Sequence, residues 1–211
     1  MFDRLGLGTA NWGKFYRGHK VPLDEIKRIL DYCQSSGISF IDSATAYENE
    51  EAMNLVNSYF HVQCKVTDAN VAPEWATTTI GHADKKLGMG ISVYDPTILD
   101  VRFGNIVQIP YSILNRQWEK MLFFDYHYQA RSIFCGGKVF EHRPLVEYSK
   151  KIGLPIGTIC IQFCLMNPNI DKVIIGVDSL EQLKEDLRYF HRINSFECND
   201  LDVIDTRRVK P

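Results

Sequence analysis

No sign of charge dominates this chain: 24 lysines and arginines stand against 26 aspartates and glutamates, a formal net charge of −2. Basic blocks and cation–aromatic interleaving are missing, which argues against nucleic acid or an anionic membrane surface as a partner. Long apolar runs are missing too. The longest, Ile159 to Met166, falls well short of the ~18 residues a membrane helix needs, and no charged start precedes an apolar core at Met1 to Gly8. A soluble, cytoplasmic protein is expected. There is no C-x-x-C pair. Cys160 and Cys164 sit four apart, but no histidine or acid completes a zinc set, so the six cysteines read as reduced core thiols and no metal is expected. Neither G-x-x-x-x-G-K-[ST] nor G-x-G-x-x-G occurs, so Gly136-Gly137 reads as a turn rather than a phosphate cradle.

With 211 residues, 45% of them hydrophobic, the chain can bury a core as one domain spanning residues 1–211. Short apolar strands alternate with amphipathic stretches throughout, the mark of parallel β/α architecture. Strands are predicted at Leu5 to Thr9, Ile38 to Ile41, His61 to Val66, Met89 to Val93, Ile106 to Pro110, Ala130 to Phe134 and Val173 to Gly176. Helical spacing marks Asp24 to Gln34, Glu50 to Tyr59, Pro73 to Leu87, Trp118 to Phe124, Leu145 to Lys151 and Ser179 to Tyr189. Ile159 to Met166 fits a buried strand or a buried helix equally.

Two of these strands end in chemistry. Asp42 and Tyr47 follow Phe40-Ile41, and Lys65 closes His61-Val62-Gln63-Cys64. A free phenol has a pKa near ~10 and protonates a substrate at neutral pH only if a cation stabilises its phenolate. Lys65, steadied by Asp42, could supply that cation. Each residue also has a plain structural reading, as a turn cap, an amphipathic core residue and a strand-end cation.

Gly37 through Tyr47 resembles the signature of the aldo-keto reductases, and Lys65 matches the lysine one strand later. Further segments are similar to the same family in the same order: Leu5 to Ala10, Gly90-Ile91-Ser92, Val107-Gln108-Ile109-Pro110-Tyr111, Ala130 to Gly137, and Val173 to Ser179 with Gln182 and Asp186. The resemblance implies a TIM-type (β/α) barrel binding NADP or NAD and reducing a small carbonyl substrate. It casts Tyr47 as proton donor, with Lys65 and Asp42 tuning it. Thr9, Ser92 and Gln108 would hold the nicotinamide carboxamide, with Gly8 also at the cofactor. Arg131 and Ser132 would lie against the nicotinamide or a phosphate, and Gly176, Ser179, Gln182 and Asp186 would form the adenosine end. The form of Arg131 to Phe134 hints at a sugar-linked carbonyl. Gly176, Val177 and Gln182 stand where many NADPH-using members place Lys, Ser and Arg, and Asp178 adds a negative charge, so the sequence does not choose between NADPH and NADH.

One stretch departs from the family. Only 26 residues separate Lys65 from Ser92, whereas a (β/α)₈ barrel spends about 30 on each strand plus helix. The family fits two units there, so strand four, which carries the family's fourth catalytic residue, a histidine, reads as lost. His82 falls in a stretch without strand character and is expected at the surface. The expected fold is therefore an incomplete or seven-stranded barrel, its gap closed by irregular chain or by a homodimer partner. Two functions follow: a carbonyl reductase working without the histidine, or a non-catalytic barrel remnant that binds a nucleotide or a partner.

Overall fold

The computed structural model describes residues 2–13, 15, 19–56, 59–82, 88–95, 104–122 and 126–188. Eight strands, all parallel, close into a barrel in chain order: β1 Leu5–Gly8, β2 Phe40–Ala44, β3 His61–Val66, β4 Thr78–Gly81, β5 Gly90–Ser92, β6 Ile106–Pro110, β7 His127–Arg131 and β8 Ile170–Gly176. Closure runs through β1 on β8, with Leu5 opposite Val173 and Gly8 opposite Gly176. The described residues hold six α-helices: α1 Leu23–Ser36, α2 Glu50–Met53, α3 Lys138–Glu141, α4 Arg143–Ile152, α5 Ile156–Met166 and α6 Leu180–Leu187.

The barrel is thus not seven-stranded, and strand four is present. Thr78–Gly81 pairs with β3, Lys65 lying opposite Ile80. The expected helix from Pro73 to Leu87 fails because Thr77, Thr78, Thr79 and Ile80 are all β-branched, which favours a pleated strand over a helix. Residues 83–87 of that expected helix lie outside the described residues. What the chain saves is helix rather than strand. A single 3₁₀ turn, Ala69–Val71, interrupts the path from β3 to β4. Beyond β4, the Met89 N–H donates to the Thr79 carbonyl at 2.8 Å, and Gly88 adopts φ +66° against that carbonyl, where an added Cβ would come within 2.3 Å of the oxygen. Only glycine permits so tight a return. Because the ladder closes within one chain, the homodimer expected to cover a gap loses its purpose.

The remaining elements follow the sequence with shifted ends. Ile159 to Met166 belongs to helix α5, buried along Gly157 to Cys164. The helix expected at Glu50 to Tyr59 stops at Met53, and that expected near Trp118 is a 3₁₀ turn at Glu119–Met121. On the outer face of the wall, Leu5, Leu7, Ile41, Val107, Val173 and Ile175 pack in one apolar cluster with Ile26, Ile29 and Cys33 of α1 and Leu183 and Leu187 of α6. Among the described residues, no helix is long and apolar enough to cross a membrane, and no group of His, Cys, Asp and Glu is placed to hold a metal ion.

Candidate functional site

Successive strand residues face opposite sides of the wall, so the pairing register decides what enters the barrel. Asp42 stands opposite Gln63, Lys65 opposite Ile80, and Gln108 opposite Gln129. Each of these pairs shares a face, and the shared face is the interior. Asp42 and Lys65 form an ion pair there with side chains 4% and 2% exposed. Asp42 Oδ1 also accepts hydrogen bonds from Gln108 Nε2 at 2.8 Å and Gln63 Nε2 at 3.2 Å.

Above this pair lies a cavity of about 590 Å³ at the C-terminal ends of the strands, the face where barrels of this type carry their sites. Asp42, Tyr47, Lys65 and His82 all line it. The Lys65 ammonium lies 5.2 Å from the centroid of the Tyr47 ring. Burial pushes the Tyr47 phenol above its ordinary value, while the charge and a hydrogen bond of Lys65 pull it back. At rest Tyr47 therefore carries its proton. Burial works against the charge of Lys65, but Asp42 and Tyr47 outweigh it and raise its pKa, so Lys65 remains an ammonium.

His82 is not a surface residue of a helix. Its N–H donates to the Val66 carbonyl at 2.8 Å, extending β4 by one step, and it lies two residues beyond Ile80 on the interior side of the pleat. Burial, followed by the positive charges of Lys65 and Arg131, lowers its pKa, so at neutral pH it is an uncharged imidazole able to donate one hydrogen bond. The alternation in Thr78-Thr79-Ile80-Gly81-His82 was the signal available in sequence. It is short, with a single large apolar residue, Ile80.

The residues expected at the cofactor divide into two sets. Gly8, Ser92, Arg131, Ser132, Gly176 and Gln182 line the cavity. Thr9, Gln108, Ser179 and Asp186 do not. Thr9 is fully buried, its hydroxyl donating to the Asp42 carbonyl and accepting from Asn49 Nδ2 at 2.8 Å. Gln108 is committed to Asp42 and to Ser92, whose hydroxyl donates to Gln108 Oε1 at 3.2 Å. The Arg131 guanidinium donates to Ser92 Oγ at 3.2 Å and to the Val93 carbonyl at 3.1 Å, and its Cζ sits 4.1 Å from the Tyr94 ring centroid. Tyr94, rather than a ligand, covers that face.

At the β8–α6 end, the protein's own acceptors take donors at the start of helix α6. The Ser179 hydroxyl accepts from the Gln182 N–H at 3.1 Å, Gln182 Oε1 accepts from the Asp178 N–H at 2.9 Å, and the Glu25 carboxylate accepts from the Leu180 N–H at 2.5 Å. Asp178 itself lines the cavity and accepts from Asn11. Asp186 is buried in α6 so close to Gly157 that an added Cβ there would meet its Oδ1 at 1.7 Å; burial, then Glu185, pushes its carboxyl up to about 7. A nicotinamide dinucleotide is thus matched by the cavity's volume and by the cations Arg131 and Lys138 on one side. The α6 N-terminus, already filled by the protein's own acceptors, does not fit one of its phosphates.

The loop Ser132 to Lys138 forms the wall between these regions. Ser132 and Cys135 take φ of +56° and +49°, left-handed conformations that non-glycine residues seldom adopt, and Gly136 and Gly137 continue the run. The turn expected at Gly136-Gly137 is therefore part of the cavity rather than a bystander.

No protein-family model and no curated protein matches the sequence. Solved structures do match the fold. An aldo/keto reductase from Klebsiella pneumoniae in complex with NADP and acetate superposes with a TM-score of 0.74 at 16% identity, covering 99% of this chain and 93% of that one. An aldo/keto reductase from Brucella melitensis gives 0.68 at 18% identity, covering 95% and 93%. The NADPH complex of Gox0644 gives 0.69 at 16% identity, covering 95% and 88%. At such identities the likeness is one of architecture, and the protein described here has the aldo-keto reductase fold.

Proposed function

We propose that the protein is a nicotinamide-dependent carbonyl reductase acting on a small aldehyde or ketone, with a complete set of four polar groups at the cavity floor. The observation that carries this reading is the convergence of Asp42, Tyr47, Lys65 and His82, from β2, β3 and β4 and their edges, on one cavity. The chemistry a reduced nicotinamide would supply, when bound in this cavity, is hydride to the carbonyl carbon. The chain's own residues handle the oxygen. Tyr47 gives it a proton, and the Lys65 ammonium stabilises the phenolate left behind. Asp42 holds Lys65 in place. The neutral His82 orients the carbonyl by a hydrogen bond, so the reaction does not proceed without a histidine as the sequence alone implied.

Arg131, Ser132 and Lys138 would hold the phosphates, and Gly8 and Gly176 give the ligand room beside the strands. Asn11, Asn115 and His19 on the cavity wall suit a hydroxylated substrate, consistent with a sugar-linked carbonyl. The filled α6 N-terminus favours one further reading, a barrel that has lost turnover and binds a nucleotide fragment or a partner.

Fluorescence titration with NADPH and NADH separates the two. Binding of at least one cofactor, followed by aldehyde turnover that falls at least about 100-fold in Tyr47→Phe, is the expected result. No binding of either cofactor at millimolar concentration excludes the reductase.

A further inference from the structure

We infer that Gln63 and Gln129, which line no part of the cavity, are positioning residues that hold the Lys65 ammonium beside Tyr47 by clamping Asp42. The interior of a parallel barrel is ordinarily packed with branched aliphatic side chains. Here three glutamines from β3, β6 and β7 take their place, all 4% exposed or less. Burying amides is costly unless their donors and acceptors are paired. These are paired with one another. Gln63 Nε2 donates to Gln129 Oε1 at 2.7 Å, and Gln129 Nε2 donates back to Gln63 Oε1 at 2.9 Å. Gln129 Oε1 also takes a longer bond from Gln108 Nε2 at 3.4 Å.

Gln129 thereby gathers one hydrogen from each of the two amides, and the second hydrogen of each is left for Asp42 Oδ1. With Oδ1 held by two donors, Oδ2 alone faces Lys65. The carboxylate cannot rotate, and the ammonium sits where it can also reach the phenol. Without the reciprocal pair, Oδ1 would keep only the Gln108 donor, and the carboxylate would be free to turn about that one bond, take a second hydrogen bond from Lys65 and draw it away from Tyr47. Satisfying burial alone would require no such coupling to the phenol.

The inference rests on Tyr47 being the proton donor, yet its test can be read without cofactor or substrate. Nitrogen-15 resonances of the lysine ammonium groups are recorded on the full chain, with Lys65 assigned by Lys65→Met. In the wild-type background Tyr47→Phe should move the Lys65 resonance. In Gln63→Met/Gln129→Met, which removes both partners at similar length and so orphans neither, Tyr47→Phe should no longer move it. An equal response in both backgrounds overturns the proposal. Should the double variant not fold, the side-chain amide protons of Gln63 and Gln108 in otherwise wild-type protein decide the matter: they should shift on Tyr47→Phe, and their indifference overturns it. Where turnover is measured, kcat of the double variant should fall about tenfold with KM and cofactor affinity unchanged; an unchanged kcat counts against the proposal. A failed cofactor titration removes the reductase reading, while the resonance experiments still stand or fall by themselves.

Discussion

The β2–β3–β4 side of the cavity and its β8–α6 side are built differently. On the first side, Asp42, Lys65 and His82 sit on a strand or one step beyond it, with Tyr47 on the 3₁₀ turn that follows β2, and the ladder fixes the height of those three: Asp42 opposite Gln63, Lys65 opposite Ile80, His82 extending the same pleat. On the second, the groups sit on a loop and the first turn of a helix, and the protein's own side chains occupy the donors. Hydrogen-bonded strand ends hold these polar groups together even where a single 3₁₀ turn stands in place of a helix between β3 and β4. A helix N-terminus is more easily diverted, because any nearby carboxylate can fill it.

The largest effect that would break this comparison is on the strand side. Lys65→Met leaves a buried carboxylate without its cation, and stability should fall by about 3–5 kcal/mol, measured by chemical denaturation at pH 7. A loss below about 1 kcal/mol would mean that water reaches Asp42 and that the strand side is less rigid than described.

On the helix side the prediction has the opposite sign. The Asp186 carboxyl is raised to about 7, so the native protein binds a proton that the unfolded chain, with an ordinary carboxyl near 3.8, releases earlier. Its penalty is absent below the unfolded value and complete above the folded one. Asp186→Asn should therefore match wild type near pH 4, become progressively more stable than it between pH 4 and about 7, and keep an advantage of up to about 4 kcal/mol above that. Melting temperatures of the two proteins at pH 5 and pH 8 test it, and parallel curves would show that the carboxyl finds a partner.

His82→Gln sharpens the strand side further. Loss of one orienting hydrogen bond should lower kcat about 10- to 100-fold while cofactor binding stays within about twofold. The smallest effect concerns cofactor choice. With Asp178 in the cavity wall and Glu25 on the α6 N-terminus, NADH should bind at least as tightly as NADPH. Asp178→Ser should improve NADPH binding by about 1 kcal/mol or less, roughly fivefold, with NADH little changed. Tighter binding of NADPH by the wild type would show that the acidic end is not where the extra phosphate lies.

Much of the strand side was legible in sequence because its signal is local. Alternation and the spacing of Asp42 and Tyr47 are written within a few residues of each other, and Lys65 falls in the very next strand. The fourth strand was missed because Pro73 to Leu87 contains enough apolar residues at helical spacing to mimic a helix, and because residue counting assumes that each strand brings a helix with it. Gly88, in a left-handed turn against Thr79, makes that assumption fail. The helix side was harder still. Ser179 as a cap could be anticipated from its residue type, but the contact of Glu25 with the Leu180 N–H joins residues 155 apart and leaves no local trace.

The sequence by itself determined a parallel β/α chain, the placement of an acid, a phenol and an ammonium near strand ends, and the lack of a basic block or of an apolar run long enough for a membrane helix. Only the tertiary structure decided that eight strands close with six helices among the described residues, that His82 turns inward, and that Gln63 and Gln108 meet at Asp42 with Gln129 behind them. Backbone propensity and pleat are properties of neighbouring residues, whereas closure, register and the pairing of buried polar groups depend on which distant strands lie side by side.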